Sequence, residues 1–231
     1  MKELINYMNQ HKFIWTLQSN FPNKWKSKLS DNNLSLEHIP LVELVQTGKL
    51  DDIISSLKDL NIIISSPFAA KIVSKKISNN YNFYVVGKKS KEILEKSGFN
   101  VLKCLNTSKE LSKWLKVNKK EKLIHLCSEM SDNMIWPKNV ISYPFYKPVD
   151  NNDFNADLYK NLGNCTIVFG SPSGVDVWFK NIKHKPNHSY ACMGETTATK
   201  ISDYTKKNIL FPKDSSIETL LRLITEKKYE Y

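Results

Sequence analysis

Small hydroxyl residues and glycines recur where short apolar runs end, and this is the pattern in the sequence best suited to chemistry. Ser65-Ser66-Pro67 closes one run, and Gly170-Ser171-Pro172-Ser173-Gly174 closes another. A second pair of runs ends in Gly87 with Lys88 and Ser90, and in Gly194 with Thr196 and Thr197. In parallel α/β sheets ligands bind at the carboxyl ends of strands, where N–H groups at helix N-termini favour anions. Glycine lets the backbone approach a ligand, while Ser and Thr hydroxyls can hold carboxylate oxygens. Each turn taken alone also reads as an ordinary helix N-cap, for which Ser, Thr and Gly are preferred. Four such turns in two matching sets point to a shared anion site. Its candidate residues are Ser65, Ser66, Lys88, Ser90, Ser171, Ser173, Gly174, Thr196 and Thr197.

Other chemistry is thinly represented. No Gly-x-Ser-x-Gly elbow, Walker loop or Gly-x-Gly-x-x-Gly fingerprint occurs. Cys104, Cys127, Cys165 and Cys192 lie far apart and form no Cys-x-x-Cys pair, so they read as small buried hydrophobes. His184 and His188 are separated by Pro186, which breaks the helix that would set both on one face, and no metal is expected. Asp51-Asp52 reads as the solvated start of a helix. The formal net charge of +11 calls for an acidic partner or reflects compositional drift. Arg222 is the only arginine, asparagine is abundant, and the lysines are scattered instead of forming a stripe with interleaved aromatics. That distribution argues against nucleic acid. No window approaches the roughly 20 apolar residues that span a bilayer. Residues 1–15 lack the apolar core of a signal peptide, so a cytoplasmic protein without membrane association is expected.

The elements that must position these residues are legible as alternating runs. Leu60–Ser66, Phe83–Gly87, Lys122–Ser128, Cys165–Ser171 and Tyr190–Gly194 read as buried strands separated by helical patterns. Strands buried on both faces and separated by helices indicate parallel sheets in an α/β architecture. The chain also repeats itself. Asn61–Pro67 resembles Thr166–Pro172, and Tyr84–Ser90 matches Ala191–Thr197. Asn100 with Thr107, Ser108 and Glu110 matches Asn208 with Ser215, Ser216 and Glu218, and Ile39–Glu43 sits opposite Tyr143–Lys147. Offsets near about 105–110 residues are the size of a small domain, and matches in one order indicate duplication.

Tyr143-Pro-Phe-Tyr-Lys-Pro148 and the following Val149-Asp-Asn-Asn-Asp153 have a linker's composition. Prolines keep such a segment extended, and the Asp/Asn run does not start a core strand. Residues 41–49 are the duplicated counterpart, which gives two crossings between two similar α/β domains. The expected division is residues 1–44 with 150–231 as one discontinuous domain and residues 45–149 as an inserted one. A ligand is expected in the cleft between them.

Ile167-Val-Phe-Gly-Ser-Pro-Ser-Gly-Val175, followed by Ala191-Cys-Met-Gly-Glu-Thr-Thr-Ala198, resembles the paired signature of uroporphyrinogen-III synthases. In that family a strand ending in Ser-Pro-Ser-Gly precedes one ending in Gly-x-Thr-Thr-Ala. Ile63–Pro67 and Val85–Gly87 resemble its first-half elements, and Tyr146 falls where its interdomain tyrosine is expected. Two departures stand out. Thr16–Ser19 replaces an Arg-Pro pair, and Cys127–Ser131 lacks the glycine and arginine often found after that strand.

The resemblance implies a cofactor-free, monomeric lyase of tetrapyrrole and haem biosynthesis. Its substrate, hydroxymethylbilane, is an open chain of four pyrroles with eight carboxylates. Loss of the terminal hydroxyl gives an azafulvene, and attack through a spiro intermediate inverts ring D on closure. Such intermediates are intrinsically reactive, so the protein's task is positioning. Tyr146 becomes the candidate proton donor to the departing hydroxyl. A non-enzymatic two-domain carboxylate-binding module and a nucleic-acid-binding protein are the rival readings. Neither explains the two strand-turn signatures.

Overall fold

The computed structural model describes residues 11–48, 50–54, 61–77, 81–118 and 122–226. The chain divides into two compact units, the first Met1–Glu43 with Val149–Tyr231 and the second Leu44–Pro148. The passage from one unit to the other falls within β3 (Val42–Gln46) and β8 (Val140–Asp150).

In the first unit β1 (His11–Trp15), β2 (Leu34–His38), β9 (Cys165–Phe169), β10 (His188–Cys192) and β11 (Ile209–Leu210) form a parallel sheet of order β11-β10-β9-β1-β2. Alternation along β1 places Ile14 in one core with Ile167, Phe169, Tyr190 and Trp178. It places Phe13 and Trp15 in the opposite core with Val168, Ala191 and Leu221. The helices are α1 (Lys26–Asp31), α6 (Pro172–Asn181), α7 (Glu195–Ser202) and α8 (Ile217–Glu226). Trp178 of α6 and Leu221 of α8 lie in opposite cores, so the sheet is covered on both faces.

The second unit carries β4 (Asn61–Ile64), β5 (Asn82–Val86), β6 (Asn100–Leu105) and β7 (Leu123–Ser128), and its sheet runs β3-β8-β7-β4-β5-β6. Its helices are α2 (Leu50–Ile54), α3 (Pro67–Lys76), α4 (Lys88–Lys96) and α5 (Ser108–Val117). Ile62, Ile64, Phe83 and Val85 face one core, and Ile63 and Tyr84 the other. From β8 to β6 the strand order repeats that of the first sheet, β2-β1-β9-β10-β11. The repeat in the sequence is therefore a repeat of topology, with β1 and β2 supplied from the start of the chain. One alignment shifts by a residue. Thr107 caps α5, but the capping hydroxyl of α8 is that of Ser216, not Ser215.

The segment with a linker's composition is extended, as its prolines require, and from Tyr143 to Asp150 it lies within the eleven-residue strand β8. Pro144, which cannot donate to a ladder, pairs with Cys127, and the register then slips so that Ser128 faces Tyr146. The slip lets consecutive Phe145 and Tyr146 both enter the same core, which strict alternation forbids. Leu60, named as the start of a strand, lies outside the described residues. Among the described residues no helix is long and apolar enough to cross a membrane.

Candidate active site

The expected residues fall at the carboxyl ends of strands, in one set per unit. In the second unit, Ser66 precedes α3 and its hydroxyl accepts the Ala69 N–H at 3.0 Å, with Pro67 at the first helical position. The same hydroxyl accepts the Tyr146 phenol at 2.8 Å. Both Ser66 lone pairs are thus occupied, while its own proton remains to be donated. Tyr146 is only 5 % exposed and packs against Phe68 and Phe145 at centroid distances of 4.9 and 5.0 Å. Burial raises its pKa above the ordinary 10, the Ser66 bond opposes that shift, and Cys127 adds to it. The phenol therefore keeps its proton near neutral pH.

Ser65 lies 2.8 Å from His125 Nε2, and His125 Nδ1 lies 3.4 Å from Ser142 Oγ. His125 is buried against Trp136, and burial lowers its pKa to about 4. Sequence reasoning missed this contact, because a lone histidine in an apolar run carries no sign of what its ring will meet. Lys88 is exposed at the start of α4, whose N-cap Gly87 has a φ of 84°, the left-handed region that glycine tolerates. Ser90 is fully buried, and its hydroxyl finds no partner among the described residues. It is thereby removed from direct contact with a solvent-borne ligand.

The first unit repeats the scaffold with different contacts. The Ser171 hydroxyl accepts the Gly174 N–H at 3.3 Å to cap α6 and lies 3.2 Å from the Ser173 hydroxyl. Ser171 and Ser173 are half-buried, and Gly174 is buried. A Cβ on Gly170 would sit 2.8 Å from Leu17 Cγ, so the close approach of the turn after β1 requires glycine there. Leu17 occupies the stretch where an Arg-Pro pair was expected on resemblance. Its carbonyl accepts a 2.8 Å hydrogen bond from Nε2 of exposed His38, at the carboxyl end of β2. Thr196 is exposed in the first turn of α7, after β10, but Thr197 is only 5 % exposed and packs inward, as Ser90 does at the equivalent place. The two buried hydroxyls narrow the expected set to the outer residues of each turn.

Burial pushes the thiols of Cys127 and Cys192 up to about 11, which suits packing and not nucleophilic attack. Among the described residues no group of three His, Cys, Asp or Glu side chains could hold a metal ion. An open cavity of about 560 Å³ lies elsewhere, between the end of α7 and the start of β11, and contains none of the expected residues.

Among curated proteins no sequence matches. The uroporphyrinogen-III synthetase of Helicobacter pylori superposes with a TM-score of 0.66 at 15 % identity, over 93 % of this chain and 98 % of that one. A mutant uroporphyrinogen III synthase from Thermus thermophilus gives a TM-score of 0.59 at 8 % identity, over 93 % and 97 % of the two chains. At such identities these likenesses establish the fold, parallel α/β sheets in the arrangement of those enzymes. The family itself is established by the match of residues 23–222 to uroporphyrinogen-III synthase HemD. With strand-end turns, topology and family match in agreement, the chain belongs to the uroporphyrinogen-III synthase family.

Proposed function

We propose that the chain converts hydroxymethylbilane to uroporphyrinogen III and water by holding substrate carboxylates on the outer residues of its strand-end turns. As a member of its family the chain is a cyclising lyase of haem biosynthesis. The residues assigned to the carboxylates are Ser65, Ser66 and Lys88 in the second unit and Ser171, Ser173 and Thr196 in the first, with Gly174, buried and donating its N–H to Ser171, left to shape the turn. The observation that carries the assignment is the recurrence of a hydroxyl turn on topologically equivalent strands of two sheets. Tyr146 is assigned the proton donated to the departing hydroxyl. Its buried, protonated phenol supports that role, and Ser66 accepts the phenol's hydrogen bond until substrate does. Departure of water leaves an azafulvene that reacts without a strong nucleophile, so orientation decides which pyrrole carbon is attacked. The reading needs no cofactor, and it places a monomeric enzyme in the cytoplasm.

The test is to supply hydroxymethylbilane and separate the products. Predominant uroporphyrinogen III is expected; the symmetric isomer alone, or reversible binding without turnover, would favour a carboxylate-binding module.

A further inference from the structure

We propose that Ser142 and His125 form a relay that turns the Ser65 hydroxyl outward as a hydrogen-bond donor to a substrate carboxylate. The proposal rests on the reading of Ser65 as a carboxylate contact. Three side chains from three neighbouring strands or strand ends make up the relay: Ser65 after β4, His125 in β7 and Ser142 in β8. His125 is 2 % exposed, its ring is held at 4.7 Å from Trp136, and each ring nitrogen faces one serine. Burial keeps the imidazole neutral near pH 7, so one nitrogen donates and the other accepts.

Two arrangements satisfy that rule, and they present Ser65 differently. With Nδ1 protonated, the ring donates to Ser142, Ser65 donates inward to Nε2, and only Ser65 lone pairs face a ligand. With Nε2 protonated, Ser142 donates to Nδ1, the ring donates to Ser65, and the Ser65 proton points away from the protein. A carboxylate accepts hydrogen bonds and repels lone pairs, so an anionic substrate favours the second arrangement. A chain of donors running one way also polarises each bond in it. His125 and Ser142 are in this account positioning residues that act through Ser65.

Nitrogen-15 spectra of histidine-labelled protein read the tautomer directly, and a kinetic cycle on hydroxymethylbilane reads its consequence. His125 is expected to carry its proton on Nε2. Ser142→Ala should raise KM about three- to tenfold with kcat nearly unchanged, the size expected for one ordinary hydrogen bond between neutral groups. Ser142→Thr, which keeps the hydroxyl, should restore KM. In a Ser65→Ala background the Ser142→Ala effect should vanish, an outcome that a merely structural role would not give. A proton on Nδ1, or an equal rise in KM in both backgrounds, would overturn the relay. A wild-type protein that forms no uroporphyrinogen III overturns the functional reading, and the relay's carboxylate with it. Normal turnover with a protonated Nδ1 overturns the relay alone.

Discussion

The two units share a strand order and a cap, yet they use their strand-end hydroxyls differently. Ser66 and Ser171 each stand before a proline-started helix of ten residues and accept a backbone N–H from its first turn. In the second unit the turn is wired into the core, Ser66 to Tyr146 and Ser65 to His125. In the first unit, among the described residues, the Ser171 hydroxyl meets only its own turn, through Ser173 and Gly174. Backbone geometry constrains a cap, so duplication preserves it, whereas the outward contacts of the same hydroxyl depend on whichever strand lies alongside. The second unit can thus couple a hydroxyl to an ionisable group, while in the first the Ser171 hydroxyl is engaged within its own turn.

The largest effect expected of either unit comes from acid. The first sheet buries His11 and His188 and the second buries His125; burial lowers all three, His188 and His125 to about 4 from 6.5. The unfolded chain then takes up these protons first, so their stability contribution is complete above about pH 6.5 and is lost as pH falls toward 4. At pH 5 His188 and His125 should each cost about 2 kcal/mol, with His11 adding in the same direction, read from urea unfolding at pH 7 and pH 5. His125→Asn should abolish only the second unit's share. A free energy unchanged between the two pH values would mean that none of these imidazoles is held neutral by its sheet.

Among the described residues Tyr146 has no counterpart bonded to Ser171, so its removal separates the units by chemistry. Tyr146→Phe keeps the packed ring and should lower the rate of uroporphyrinogen III formation on the order of tenfold, the low end for general acid catalysis. Full activity with an unchanged isomer ratio would remove the phenol from the mechanism.

The smallest effect concerns the caps. Ser171→Ala should cost about 1 kcal/mol in thermal or urea unfolding. Ser66→Ala should cost more, because it also strands a buried phenol. Equal losses would show that the Tyr146 bond adds nothing and that the two turns are equivalent.

The cap residues, the buried strands and the repeat were legible because each rests on local rules: hydroxyl before proline at a helix start, and apolar runs between turns. Ser65 and Ser66 are candidate site residues on those grounds, but nothing local tells that one meets a histidine and the other a tyrosine. The short run at Ile209–Leu210 and the half-exposed β3 gave weak signals, since two residues or an edge carry little hydrophobic pattern. The extension of the segment around Pro144 follows from its prolines, but not its pairing with β7 or the register slip there, because proline and Asp/Asn look alike in a loop and at the margin of a sheet.

By itself the sequence determined the parallel α/β class, the two-fold repeat, the capped turns and the family signature, all properties of residues close together along the chain. Only the tertiary structure decided that Ser90 and Thr197 turn inward, that Leu17 rests on Gly170, and that Phe145 and Tyr146 share one core. It also decided that Ser65, His125 and Ser142 fall into line. Each of these depends on the register between strands distant in sequence, and register is fixed by packing across the whole sheet, which no local pattern encodes.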